Sequence, residues 1–214
     1  MSESGRPSIG PPPSALSGFP SELLVKAQSV ARSHKVAQSP WWFSAAPKAE
    51  PGGGRFDLSH PSGTCYVADT IEVATRERLR ETILTARLVS PGFADSFAVS
   101  TFAAPRQYLC ANIEADEAAD FGVTCELAAL APKYYSISRT WANAFAEASF
   151  EGIRYGARFT PGQANSWALF GKRGYGEPPM PSDIKQVSGR DACKLIGVAV
   201  DSHPRLGSLV VLDT

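Results

Sequence analysis

Short β-prone runs separated by turn residues share the chain with two stretches whose apolar positions recur at helical spacing. Val30–Lys35, Thr64–Ala68, Ser96–Phe102 and Tyr108–Ile113 read as strands, and Glu114–Asp120 as an acidic turn or helix. From Thr70 to about Leu88, Ile71, Ala74, Leu79, Ile83 and Leu84 fall on a helical stripe that Asp69 or Thr70 can cap. A second helix is predicted from about Ser138 to Glu151, with Trp141, Ala142, Phe145 and Ala148 on one face and Gly152 at its end. Pro20–Ala27 reads as a short helix with Ser21 as its cap. Ile153–Tyr155 and Trp167–Phe170 read as paired strands around the Pro161-Gly162 turn. Ile196–Val200 and Ser208–Leu212 read as a closing hairpin turned at residues 203–207. Many short strands with two good helices predict an α+β domain. Residues 1–20, rich in Pro, Ser and Gly, read as a flexible or polyproline-like leader, and 21–214 as a single domain.

Charge narrows the choice of partners. Lys plus Arg and Asp plus Glu both number 21, so no global basic field exists to release counterions from a nucleic acid, although a local patch can hold a small anion. No apolar run approaches the roughly 20 residues needed to cross a bilayer, and the first residues lack a basic-then-apolar signal. Cys65, Cys110, Cys125 and Cys193 form no CxxC pair, and His34, His60 and His203 show no ligand spacing, so no metal site is expected. Reduced thiols in a cytoplasm are the expectation.

Function enters through the order of short motifs. Ala31-Arg32-Ser33-His34-Lys35, Pro40-Trp41-Trp42-Phe43-Ser44, Gly54-Arg55-Phe56-Asp57 and Gly63-Thr64-Cys65-Tyr66-Val67-Ala68 follow one another. Glu77 comes next, then Tyr135-Ser136-Ile137-Ser138-Arg139-Thr140-Trp141-Ala142, Gly152-Ile153-Arg154-Tyr155 and Ala168-Leu169-Phe170. In this order the chain resembles RES-domain proteins, most strongly over residues 25–172. The resemblance implies an ADP-ribosyltransferase-like fold and an enzyme that consumes NAD as substrate without a metal. It also implies a place in a toxin–antitoxin pair, with an antitoxin or other protein partner; homo-oligomerisation stays open. It carries Arg32, Glu77 and Ser136 over as the arginine, glutamate and serine of the family, with Ser138 as the fallback. Tyr66 takes an aromatic position of the NAD pocket, with Tyr135 beside it. Two departures stand out: Gly-Arg-Phe-Asp where many members have Gly-Arg-Trp-Asn, and Ala157 where many have a serine. Ala157 favours the alternative of a degenerate nucleotide- or ADP-ribose-binding module, or of a protein-interaction component.

The chemistry suits these residue types. Nicotinamide departs from a cationic ring as a neutral base, leaving an oxocarbenium-like ribose that a fixed carboxylate stabilises. Glu77 shares a helical stripe with Val73, Ala74, Glu81 and Leu84, which turns it toward the apolar side. Without the resemblance it is an ordinary solvated glutamate in a charged run. Arg32 and Arg55 are candidates for the pyrophosphate, since a guanidinium grips paired oxygens bidentately. Gly52-Gly53-Gly54 lets the Arg55 loop approach a ligand closely. Tyr66 offers a stacking face and a polar tip, and Ser136 a hydrogen bond to the ribose or amide. Trp41-Trp42-Phe43 reads as core.

Overall fold

A computed structural model describes residues 7–47, 52–80, 82–162 and 164–201. In chain order, the first half contains β1 (Ser21–Leu24), β2 (Ser29–Lys35), β3 (Trp42–Phe43), β4 (Ser62–Ala68), α1 (Ile71–Leu79), α2 (Thr82–Thr85), β5 (Leu88–Val89), α3 (Pro91–Asp95) and β6 (Phe97–Ala103). The second half contains β7 (Tyr108–Asn112), α4 (Glu126–Ala129), α5 (Tyr135–Glu147), β8 (Gly152–Gly156), β9 (Asn165–Lys172), β10 (Gly174–Tyr175), β11 (Ser182–Ser188), α6 (Gly189–Leu195) and β12 (Ala199–Val200). Eight strands form one twisted mixed sheet in the order β1-β7-β8-β9-β4-β2-β6-β11. Within it β7 and β8 run parallel, so the chain must cross over between them, and α4 and α5 make that crossover.

Strand alternation assigns side chains to the two faces. On one face Val30, Cys65, Val67, Phe102, Trp167 and Leu169 form a continuous core with Trp41 and Phe43. Trp41 is 2% and Phe43 4% exposed, so these two of the aromatic run are core, whereas Trp42 between them is half-buried against the exposed Tyr175. The other face carries two separate cores. Ala111, Ile153, Ala168 and Phe170 pack beneath Trp141, Ala142 and Phe145 of α5. Ala31, Ala68, Phe97 and Val99 pack beneath Val73, Ala74 and Leu79 of α1 and Ala192 and Cys193 of α6. Between the two helical layers the sheet is left uncovered.

Several sequence expectations change. Ser21–Leu24 is an edge strand paired with β7 from Ser21↔Ala111 to Leu24↔Tyr108, not a helix; four residues of backbone pairing outweigh a marginal helix propensity. The leader is anchored over its described part. Ile9, Leu16 and Phe19 are buried, Phe19 packs edge-on against Phe145 at 4.8 Å, and Trp141 Nε1 donates to the Gly10 carbonyl at 3.0 Å. The long helix after Thr70 is broken. The Thr70 side chain does cap α1 by accepting from the Val73 N–H, but α1 stops at Leu79, with Arg80 at φ 53°. The second helix starts three residues early, at Tyr135, and Gly152 opens β8 rather than closing the helix. β8 and β9 pair as expected, with Ile153 opposite Ala168. Of the closing hairpin, Ala199–Val200 pairs in parallel with β5 instead, and residues 208–212 lie outside the described residues.

Candidate functional site

The uncovered strip of sheet is the floor of a cleft of about 630 Å³, within the size range of small-molecule sites. Tyr66 and Ala68 of β4, Ala31 and Ser33 of β2, Tyr155 of β8 and Ser166 of β9 reach it from below. Ala74, Glu77, Arg78 and Leu79 of α1 wall it on one side, with Arg80 at the helix end, and Gly54, Arg55 and Tyr135 wall it on the other.

Glu77 turns inward. Its side chain is 17% exposed, and Oε2 accepts from Arg55 Nη2 at 3.0 Å. Oε1 accepts from the Phe159 backbone N–H at 2.9 Å. The carboxylate is thus fixed at both oxygens, by one guanidinium and one peptide dipole. Arg55 also lies 5.4 Å from the Tyr155 ring centroid, a cation–π contact that limits its swing.

The loop that presents Arg55 is clamped from below. Asp57, 1% exposed, accepts from the Gly54 N–H at 2.7 Å and from the Tyr66 hydroxyl at 2.8 Å. The same hydroxyl accepts from the Phe56 N–H at 2.9 Å. Gly54 is needed here for space: a β-carbon on it would stand 2.6 Å from Tyr66 Cζ. From α5, Arg139 donates through Nε to the Gly54 carbonyl at 3.1 Å and through Nη2 to the Gly52 carbonyl. The fully buried Ser138 hydroxyl donates to the Arg55 carbonyl at 2.6 Å. Burial pushes the Asp57 carboxyl above its ordinary range, against the pull of its hydrogen bonds and of Arg139. Burial and the adjacent Asp57 raise the Tyr66 phenol well above its ordinary value, so it stays protonated and keeps donating.

Among the residues singled out from the sequence, Glu77, Arg55, Tyr66 and Tyr135 meet around this cleft. Two others do not act as expected. Arg32 contributes to the floor, but its Nη1 donates to the carbonyls of Pro40, at 3.0 Å, and Trp42, and touches Cys65 Sγ. Strand alternation places that side chain with Val30 and Cys65 on the opposite face of the sheet, where it holds the Pro40–Trp42 backbone rather than a pyrophosphate. Ser136 is exposed on α5 and away from the cleft, while Ser138 is the buried serine. Of the stacking face and polar tip that Tyr66 offers, the tip is already engaged, with Asp57 and the Phe56 N–H, while the residue lines the cavity. Asp57 and Arg139 were not singled out, although both stand inside quoted motifs. Ala157 lies in the turn after β8, donating to the Ala164 carbonyl and packing against the α1 core. Among the described residues, no three His, Cys, Asp or Glu side chains gather as a metal site, and no helix is long and apolar enough to cross a membrane.

Fold and site together define a mixed α+β domain with an arginine- and tyrosine-lined cleft between two helical layers on one sheet face. The RES domain family matches residues 26–185, and the chain belongs to that family. Its fold is shared with a chain from the crystal structure of the M. tuberculosis MbcT–MbcA toxin–antitoxin complex. The two align with a TM-score of 0.56 over 80% of this chain and 91% of that one, at 11% identity. No curated protein matches the chain by sequence.

Proposed function

We propose that the cleft binds NAD and breaks its nicotinamide–ribose bond, with Glu77 as the group that stabilises the cationic ribose left behind. The reading is carried by one observation: an inward-facing carboxylate, held at both oxygens, on the wall of a cleft lined by Tyr66, Tyr135 and Tyr155. In the step proposed, the C1′–N bond breaks and its electron pair stays with the pyridine nitrogen, neutralising the leaving group. The cationic ribose left behind is then attacked at C1′ by water, phosphate or a protein side chain. Glu77 offers its negative charge to that sugar, and Arg55 and the Phe159 N–H keep it in place without reorganisation. The tyrosine rings supply faces for the nicotinamide.

The experiment follows free nicotinamide from purified protein and NAD, with and without phosphate, beside Glu77→Gln. Glutamine keeps an oxygen for the Phe159 N–H but removes the charge, so release is expected to fall about 10²- to 10³-fold. Release unchanged in Glu77→Gln refutes the mechanism. A second reading, an ADP-ribose-binding module without turnover, is favoured by the ion pair that already occupies Glu77. It is chosen if wild-type protein binds NAD yet frees no nicotinamide with any acceptor.

The fold match to a chain from a toxin–antitoxin complex supports a matching role for this chain: a toxin whose cleft a protein partner covers. Growth arrest on induced expression, together with a fall in cellular NAD that Glu77→Gln abolishes, is the expected outcome.

A further inference from the structure

Arg78 in the last turn of α1 and Arg80 at its C-cap stand at the cleft with no counter-charge among the described residues. The Arg78 guanidinium lies 5.9 and 5.7 Å from the Phe93 and Phe97 ring centroids, and its buried Nε has no hydrogen-bond partner. Arg80 is exposed and also lines the cleft. No carboxylate among the described residues pairs with either, whereas Arg55 has Glu77 and Arg190 has Asp95. Burial first, and the neighbouring Arg80 charge second, lower the Arg78 pKa.

The backbone adds a second, independent observation. Arg80 sits at φ 53°, a region that residues with a β-carbon rarely adopt and that collects at functional positions. Its N–H closes the helix on the Arg76 carbonyl at 2.9 Å, and with ψ at −132° the residue lies outside the αL region, where glycine alone escapes the strain. Basic residues in a last turn do favour the helix dipole. That accounts for Arg76 and Arg78, but not for an arginine at the positive-φ residue beyond them.

We propose that Arg78 and Arg80 are the anion clamp of the cleft, gripping the pyrophosphate of the dinucleotide whose nicotinamide ribose lies against Glu77. The assignment rests on the NAD reading above and supplies the phosphate contacts that Arg32, turned to the other face, does not. Guanidinium forks match phosphate oxygens bidentately, and two of them balance the two charges of a pyrophosphate. The bound anion would also relieve their mutual repulsion and give the buried Nε an acceptor.

Titration calorimetry with ADP-ribose, inorganic pyrophosphate, orthophosphate and nicotinamide riboside tests the clamp in wild type, Arg80→Asn and Arg78→Met. Each variant is expected to weaken ADP-ribose and pyrophosphate about 10- to 100-fold and to leave nicotinamide riboside unchanged. Arg80→Gly, run beside them, suits the positive-φ backbone, so its Tm should hold or rise while affinity falls, a pairing that a merely structural arginine would not give. ADP-ribose binding that is unchanged in both variants, or a loss confined to orthophosphate, overturns the clamp. Nicotinamide release by Arg80→Asn at an unaltered KM for NAD overturns it too and leaves the Glu77 mechanism standing. Affinity for ADP-ribose that needs both arginines, in a protein that frees no nicotinamide, upholds the clamp and refutes turnover.

Discussion

Asp57 lies behind one wall of the cleft and Arg78 forms part of the other; burial displaces the pKa of each, yet only Asp57 has its hydrogen bonds made. Around Asp57 the contacts of the carboxylate and of the loop carbonyls are answered within the protein: Gly54 N–H and Tyr66 hydroxyl to the carboxylate, Ser138 and Arg139 to the carbonyls; Arg55, paired with Glu77 through Nη2, keeps a buried Nη1 without a partner among the described residues. At the end of α1, Arg78 and Arg80 stand without a carboxylate partner among the described residues, Arg80 at a positive φ. A completed network costs nothing further when substrate arrives, so that wall is suited to holding a catalytic geometry. An incomplete one is suited to binding, because a ligand supplies the missing partner.

Breaking the completed wall should give the largest effect. Asp57→Ala leaves the Gly54 N–H and the Tyr66 hydroxyl without their acceptor in a buried setting. A loss of about 2–4 kcal/mol is expected, partly offset because a desolvated charge is removed as well. For a chain of this size that lowers Tm by roughly 5–12 °C. Calorimetric unfolding within 1 °C of wild type would mean that the network is not a unit. Gly54→Ala comes next, since the added methyl must displace either the loop or the Tyr66 ring. Its cost is expected at about 1–3 kcal/mol, with a fall in nicotinamide release larger than the stability loss explains, because Arg55 follows Gly54 directly. Release equal to wild type would separate loop position from Glu77 function.

Much of the floor was legible in the sequence, and the walls less so. β2, β4, β6 and β7 announced themselves as short β-prone runs, and Thr70 as a cap. Of the stripe that turned Glu77 inward, Val73 and Ala74 are buried and the glutamate does face the cleft, whereas Leu84 lies past the end of α1 and is exposed, and residue 81 is outside the described residues. Arg32 shows where that reasoning stops. Alternation says that residues 31 and 33 share a face and 32 takes the other, but only the pairing of Ala31 with Ala68 fixes which face meets Tyr66. Ser136 came from the resemblance, with Ser138 as its fallback; on α5 the two lie about 200° apart, so the helical period separates an exposed serine from a buried one. The break at Arg80 gave no signal, since neither glycine nor proline marks it. The strand at Ser21–Leu24 was set by a neighbour 84 to 90 residues away, which local propensity cannot see.

The two serines give the finest division of the comparison. Ser138 is wholly buried and its hydroxyl holds the Arg55 carbonyl at 2.6 Å, so Ser138→Ala removes one bond from the completed wall. About 1–2 kcal/mol is expected from that loss, with a modest drop in nicotinamide release as Arg55 loosens against Glu77. Ser136 is exposed, and what it contributes is its backbone carbonyl, which accepts from the Thr140 hydroxyl at 2.9 Å and survives substitution. Ser136→Ala should therefore stay within about 0.5 kcal/mol of wild type and release nicotinamide at the wild-type rate. The reverse ranking, with Ser136→Ala impaired and Ser138→Ala intact, would place the reacting ribose outside the cleft, on the solvent side of α5, and Glu77 could not then be the group that meets it.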